Sequence, residues 1–285
     1  MKIIVFGITG MLGNVVFSYL SKTKGLNVIG FARDSEKLKL VKGKKKFQES
    51  NLLAKETIEK IIFEFEPEVI INCIGLIKQD ESSSQIHLSN LINNVFPNTL
   101  AKECSKNGIR LIHYSTDCVF SGEKGNYSEK DKPDCKDVYG KSKLKGEIHD
   151  NKNILTLRTS IIGHELNSNL SLLNWFLGSK GHVKGFKKAF FSGLTNLEHA
   201  KILEKIILPN ENLYGLFHLG GERIDKFELL NIFSKIYSHK IIIEPDTSFE
   251  IDRSLNCNQF NSVTGYNPPS WINLVREMRI FFESS

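Results

Sequence analysis

One stretch carries the clearest chemistry, "YSTDCVFSGEKGNYSEKDKPDCKDVYGKSKLKGE", from Tyr114 to Glu147. It sets Ser115, Thr116 and Asp117 at what reads as a strand's end, and then Tyr139 and Lys143 in a Tyr-x-x-x-Lys spacing. Polarising and protonating a carbonyl oxygen needs a proton donor and a group that holds the oxygen. A free phenol has a pKa near ~10, too high for proton exchange near neutrality without help. A lysine four residues further along a helix lies on the same face, one turn away, and its ammonium favours the phenolate. Tyr139 and Lys143 have that spacing near the start of a helix whose dipole acts in the same direction. Thr116, at the mouth of its strand, can donate to the oxygen, with Ser115 beside it. The polar loop from Phe120 to Asp137 gives the chain room to reach the opposite wall.

These residues need a scaffold that brings two distant segments together. Apolar or β-branched runs at "KIIVFG", "NVIGFA", "KKFQ", "EVIINCIG", "RLIHYST" and "ILTLRT" read as strands. Amphipathic patterns over 11–22, 54–66, 86–107 and 138–149 read as helices between them. Continuous apolar strands alternating with helices predict a parallel sheet covered on both faces. The expected fold class is therefore α/β, a Rossmann-like doubly wound parallel sheet with a smaller mixed α/β substrate domain. After Gly163 the rhythm turns irregular, with helical patterns at "NLSLLNWFLGSKG", "TNLEHAKILEKII", "DKFELLNIFSKIYS" and "PSWINLVREMRIFF". Residues 1–163 are expected to bind a dinucleotide and residues 164–285 mainly a substrate, with a strand near 215–221 returning to the main sheet.

"GITGMLG" places Gly7, Gly10 and Gly13 between the first strand and the first helix. Glycines there permit a tight turn and close backbone approach to a pyrophosphate seated at the helix N-terminus, with Thr9, Met11 and Leu12 around it. At the end of the second strand, Ala32 is followed by Arg33 rather than by an acid. An arginine pairs with a 2′-phosphate, so NADPH is expected, with NADH as the alternative and Asp34 as the complication. Asn51 and Leu52, ending the third strand, are expected near the adenine, and Cys73, Ile74 and Gly75 along the cofactor. Lys143 would then also hold the nicotinamide ribose.

Composition narrows the class. The chain has 285 residues, 40% hydrophobic and 25% charged, with a net charge of +6. This suits a soluble globular protein. The lysines are scattered and the one dense run, "KGKKKF", reads as a solvated turn, so no nucleic-acid partner is expected. Five widely spaced cysteines with no Cys-x-x-Cys pair read as reduced thiols. The eight histidines show no ligand spacing, and no metal is expected. No apolar run reaches the ~18 residues of a membrane span, and the protein is expected to be cytoplasmic.

Taken together, the glycine loop, the Ser-Thr strand end and the Tyr-x-x-x-Lys pair resemble the extended short-chain dehydrogenase/reductases. Within them, "STDCVFSGEKGNYSEKDKPDCKDVYGKSKLKGE" is similar to the signature of the dTDP-4-dehydrorhamnose reductase branch. "NNVFPNTLAKEC" resembles that branch's helix, with its central asparagine at Asn94, and "LRTSIIG" its strand beside the nicotinamide. The resemblance implies Thr116, Tyr139 and Lys143 as catalytic residues, Tyr139 being the proton donor. It places Thr159, Ser160 and Ser115 near the nicotinamide, and Val119, Phe120, Ile77 and Lys78 toward the sugar. Cys118 stands where the branch usually has tyrosine, and "FFSGLTNLEHA" departs from its wording.

The substrates so implied are 4-keto-6-deoxy sugars on dTDP or UDP, made for surface glycans, and the departures favour a UDP-linked N-acetylhexosamine. Phe190 or Phe191 is expected to stack on the base and Arg253 to pair with the diphosphate. Trp271 reads as a packing anchor. A homodimer is compatible with the resemblance. Two other readings stand beside the reductase, a sugar-nucleotide epimerase that retains NAD and a non-catalytic regulatory subunit on the same fold.

Overall fold

The computed structural model describes residues 1–43, 45–49, 51–76, 83–166 and 169–284, without the side chains of 83–85. The first half runs β1 (Lys2–Phe6), α1 (Met11–Leu20), β2 (Asn27–Ala32), α2 (Ser35–Leu40), β3 (Lys46–Gln48), α3 (Lys55–Phe65) and β4 (Val69–Asn72). It continues through α4 (Ser83–Asn90), a π-helical turn (Leu91–Val95), α5 (Phe96–Lys106), β5 (Arg110–Tyr114), α6 (Val138–Lys145) and β6 (Ile154–Arg158). The second half holds β7 (Ile161–Ile162), α7 (Leu172–Gly178), β8 (His182–Phe191), β9 (Leu194–Thr195), α8 (Asn196–Ile202) and β10 (Gly215–His218). It ends with β11 (Ile224–Asp225), α9 (Lys226–Tyr237), β12 (Ile242–Asp252), α10 (Asn258–Thr264) and α11 (Trp271–Ser284).

Seven strands form one parallel sheet in the order β10-β6-β5-β4-β1-β2-β3. Strand side chains alternate between its two faces. Ile3, Val5, Ile71, Ile112 and Leu155 pack on one face with Val16 and Phe17 of α1 and Ala200 of α8. Ile4, Phe6, Ile70 and Leu111 pack on the other with Ile58 of α3 and Phe96 and Leu100 of α5. Covering both faces is what makes these strands read as unbroken apolar runs. The doubly wound sheet expected from the sequence is thus the observed one, and its order reverses between β1 and β4. That reversal opens a crevice at the strands' carboxyl ends.

The smaller part is built on a three-stranded sheet, β11-β8-β12, with β8 antiparallel to β11 and parallel to β12. No helix among the described residues is long and apolar enough to cross a membrane. No group of three or more His, Cys, Asp or Glu among them is placed to hold a metal.

Candidate active site

The glycine loop forms one wall of the crevice. Gly7 has φ +86°, and a Cβ there would lie 3.0 Å from Ile74 N. A Cβ on Gly13 would come within 2.2 Å of Gly7 O, so α1 can press onto β1 only if this position is bare. Gly10 caps α1 without a side-chain hydrogen bond, which leaves the helix's first N–H groups for an anion. The groove in front has a volume of about 280 Å³ and is lined by Gly7, Thr9, Gly10, Ala32, Arg33, Leu52, Cys73, Ile74 and Gly75 among others. Met11 and Leu12 open α1, but the Leu12 side chain is in the core and Met11 O accepts from Asn196 Nδ2 at 3.2 Å. Asn51 is exposed, and its N–H donates to Glu49 rather than turning into the groove.

At the groove's far end Arg33 and Asp34 lead into α2, an element the sequence did not announce. Asp34 Oδ1 accepts from the N–H groups of Glu36 and Lys37 at 3.0 and 3.1 Å, capping that helix. Arg33, Asp34 and Lys37 all line this end of the groove. The bare cradle and the free helix N-terminus fit a dinucleotide.

The catalytic candidates stand where β4, β5 and α6 converge. Asp137 caps α6 by accepting from Gly140 N at 2.9 Å, and Tyr139 and Lys143 follow one turn apart. Lys143 Nζ donates to Tyr114 O at 2.6 Å and lies 3.8 Å from the point where a Cβ on Gly75 would stand, beside the groove. Burial pulls its pKa down to about 8, against the pull of Glu147 and Cys73. Tyr139 differs from the sequence expectation. Burial pushes its phenol well above the ordinary value, with Cys118, Asp117 and Asp137 adding to the effect and a Thr116 hydrogen bond opposing it. Lys143 is not among the groups acting most strongly on Tyr139, because its ammonium faces the Tyr114 carbonyl. The Thr116 hydroxyl donates to Asp117 Oδ1 and accepts from Cys118 N, both at 3.1 Å.

Asn93, rather than Asn94, is the asparagine that serves this site. It lies in the π-helical turn, fully buried, and its side chain brackets the Leu76 backbone, accepting from N at 2.9 Å and donating to O at 3.1 Å. It also donates to Ser142 Oγ of α6 at 3.0 Å, whereas Asn94 bonds Asn90 on the outer side. A π-helical turn at such a position is a common functional irregularity. Of the adjacent asparagines, only their phase relative to Ile92, Phe96 and Leu100 could have told which one points inward.

Several other expectations are met differently. Ser115 turns away from the groove and donates to Glu147 Oε1 at 2.6 Å. Val119 and Phe120 are 0% exposed, so their side chains cannot face a sugar; Phe120 stacks on Tyr127 with centroids 4.1 Å apart. Thr159 is buried and its hydroxyl meets His199 Nε2 at 3.3 Å, while Ser160 O accepts from Leu194 N at 3.0 Å. One face of the Phe190 ring is covered by the Arg223 guanidinium at 3.4 Å, and Phe191 lies in the core against Trp271. Trp271 is the packing anchor expected, its Nε1 donating to Glu222 O at 2.8 Å. Arg253 reaches the catalytic neighbourhood, donating from Nε to Phe120 O at 3.1 Å and from Nη1 to Cys118 Sγ at 3.4 Å. Ile77 and Lys78 lie outside the described residues. Sequence reasoning gave no role to Lys226, whose ammonium rests 3.7 Å from the Phe191 ring centroid.

A family model described as the RmlD substrate binding domain matches residues 1–278. The methionine adenosyltransferase 2 subunit beta of Xenopus tropicalis is 32% identical over 248 residues, spanning 80% of this chain and 70% of that protein. The probable low-salt glycan biosynthesis reductase Agl14 of Haloferax volcanii is 33% identical over 162 residues, 55% of this chain and 52% of that one. Among solved structures, the dTDP-4-dehydrorhamnose reductase of Bacillus anthracis in complex with NADP superposes with a TM-score of 0.80 at 19% identity, covering 98% of each chain. The parallel sheet, the bare glycine cradle and a family match over nearly the whole length agree: this chain belongs to the dTDP-4-dehydrorhamnose reductase branch of the extended short-chain dehydrogenase/reductases.

Proposed function

We propose that the protein is an NADPH-dependent reductase of a nucleotide-linked 4-keto-6-deoxy sugar, a UDP-linked N-acetylhexosamine in preference to dTDP-4-dehydrorhamnose. The observation that carries this reading is that Lys143 borders, beside Gly75, a groove whose far end presents Arg33 and Lys37, with Tyr139 one turn before it on α6 and hydrogen-bonded to Thr116. Bound nicotinamide would supply the hydride that reduces the sugar's C4 carbonyl. Gly7, Thr9, Gly10 and Gly13 would hold the pyrophosphate, Arg33 the 2′-phosphate, and Leu52, Cys73, Ile74 and Gly75 the floor beneath. Lys143 borders the groove beside Gly75 and would hold the ribose there. Tyr139, kept protonated by its surroundings, gives its phenolic proton to the C4 oxygen, and Thr116 orients that oxygen. The relative described as a glycan biosynthesis reductase and the NADP complex of a structural neighbour support the same reading. Residues 1–163 would hold the cofactor and 164–285 most of the sugar nucleotide, in a cytoplasmic step of surface glycan synthesis.

The test is NADPH oxidation with UDP- and dTDP-linked 4-keto-6-deoxy sugars freshly made by a 4,6-dehydratase, with Tyr139→Phe run beside the wild type. Turnover of one substrate that collapses in the variant is the expected result. A second reading is favoured by the relative described as a subunit of methionine adenosyltransferase: a non-catalytic subunit that binds the dinucleotide and assembles with another enzyme. NADPH binding with no turnover of either sugar would select it.

A further inference from the structure

Two cations from the smaller part converge on the residues that follow Thr116. Lys226 is the first residue of α9, a helix capped by Asp225, and its half-buried ammonium lies over the Phe191 ring. Its charge is felt by Asp117 and Cys118, one and two residues beyond Thr116. Arg253 arrives from the end of β12 and rests one of its N–H groups on the Cys118 thiol, a weak acceptor. No described residue accepts a hydrogen bond from the Lys226 ammonium. An aromatic face stabilises a cation but satisfies none of its three donors. A half-buried ammonium with no protein acceptor keeps donors available for a bound oxygen, which would take the place of solvent there.

We infer that Lys226 donates to the acyl oxygen of an acetamido group on the sugar ring and is a substrate-recognising residue of this enzyme. This rests on the sugar-nucleotide reading above. Thr116 is the residue beside the C4 oxygen, so a cation acting on the two residues after it works within a ring's width of C4. The diphosphate departs from C1, across the ring. An amide oxygen is a strong acceptor with no proton of its own, which suits an ammonium already short of acceptors better than a hydroxyl does. The buried Asp117 carboxyl, hydrogen-bonded by Thr116, lies on the same wall, burial raising its pKa against the pull of Arg253 and Lys226.

Calorimetry with NADP⁺ present tests this without requiring turnover. The wild type, Lys226→Met and Lys226→Arg would each be titrated with nucleotide-linked acetamido-6-deoxyhexose, its 2-hydroxy counterpart, and the nucleoside diphosphate alone, in UDP and dTDP forms. Lys226→Met should weaken the acetamido sugar by roughly 10- to 100-fold, leave the nucleoside diphosphate and NADP⁺ unchanged, and be partly restored by Lys226→Arg. Unchanged acetamido affinity, or an equal loss for the nucleoside diphosphate alone, would overturn the assignment, the latter placing Lys226 on the diphosphate. A wild type that binds NADP⁺ but none of these ligands would instead remove the sugar-nucleotide reading itself.

Discussion

Ser115 donates its hydroxyl to Glu147 at 2.6 Å, joining the end of β5, where Thr116 sits, to the foot of α6, which carries Tyr139 and Lys143. Glu147 is at the same time paired with Arg158, which donates to it from Nε at 2.8 Å and from Nη2 at 2.7 Å; both side chains are buried. Glu147→Gln would leave the Arg158 guanidinium buried without its counter-charge. Breaking one partner of such a pair costs about 3–5 kcal/mol, so the urea midpoint should fall steeply. Burial works to raise the Glu147 carboxyl, but hydrogen bonds from Arg158, His149 and Ser115 overcome it and hold it at about 2. Its folded pKa lies below the unfolded one, so its stabilisation is complete above the unfolded carboxylate range, near ~4.3, and fades as pH falls toward about 2. Wild-type stability should drop through that window more steeply than that of Glu147→Gln. Parallel curves would show that the carboxylate adds no pH-dependent stability.

Burial keeps Tyr139 protonated, with a phenol well above its ordinary range and so a weaker acid than a free phenol until substrate and cofactor change its surroundings. Tyr139→Phe should lower kcat by roughly 10²- to 10⁴-fold while NADPH still binds, as followed by the quenching or transfer of its fluorescence. Lys143, at about 8, is charged below that pH and neutral above it. Turnover that depends on its ammonium should therefore be flat at neutral pH and fall as pH rises through about 8. Lys143→Arg, slower but permanently charged, should lose that falling limb.

β1, β2, β4, β5 and β6 are legible in the sequence because each is apolar on both faces, the exposed edge strand β3 only from its place in the alternation, and the helices between them because their apolar residues recur at helical spacing. β8 and β12 are not legible. They face solvent for much of their length, carrying Lys184, Lys187 and Lys188 on one and Glu244, Pro245 and Asp246 on the other. Their partner is a strand distant in sequence, which no local pattern reveals. The candidate trio of Thr116, Tyr139 and Lys143 is readable from spacing and chain order, yet which way each neighbour points is not. Ser115 looks like a site residue and belongs to the Glu147–Arg158 pair. Phe120 looks exposed by its place in a polar loop and is sealed by Tyr127. Lys226 opens a helix, where a lysine ordinarily means solvent, and only the folding of α9 over Phe191 brings it to Asp117.

Lys226 offers a second pH test, separable from that of Lys143. Burial lowers its pKa to about 8, against the opposing pull of Asp117 and Cys118. Arg253 faces the same two groups from the end of β12. Acetamido-sugar affinity should accordingly be constant near neutrality and weaken as pH rises through about 8, and in Lys226→Met the affinity should be low and level. A wild-type affinity that does not change between pH 7 and about 9 would detach the ammonium from sugar binding.

Arg33 and Lys37 give the cofactor prediction. Asp34 Oδ1 is turned back onto the N–H groups of Glu36 and Lys37, which engages one oxygen of the carboxylate at this end of the groove, and a 2′-phosphate would meet two cations beside it. A charged hydrogen bond is worth about 1.5–3 kcal/mol, so Arg33→Ser should raise the KM for NADPH by roughly 10- to 100-fold and leave that for NADH nearly unchanged. Asp34→Ala should act otherwise. It removes the cap of α2 at a cost of about 0.5–2 kcal/mol and loosens the helix that carries Lys37, weakening NADPH only modestly. If instead Asp34→Ala chiefly impairs NADH, the carboxylate leaves its cap when the dinucleotide binds, and the enzyme reads the ribose rather than the phosphate.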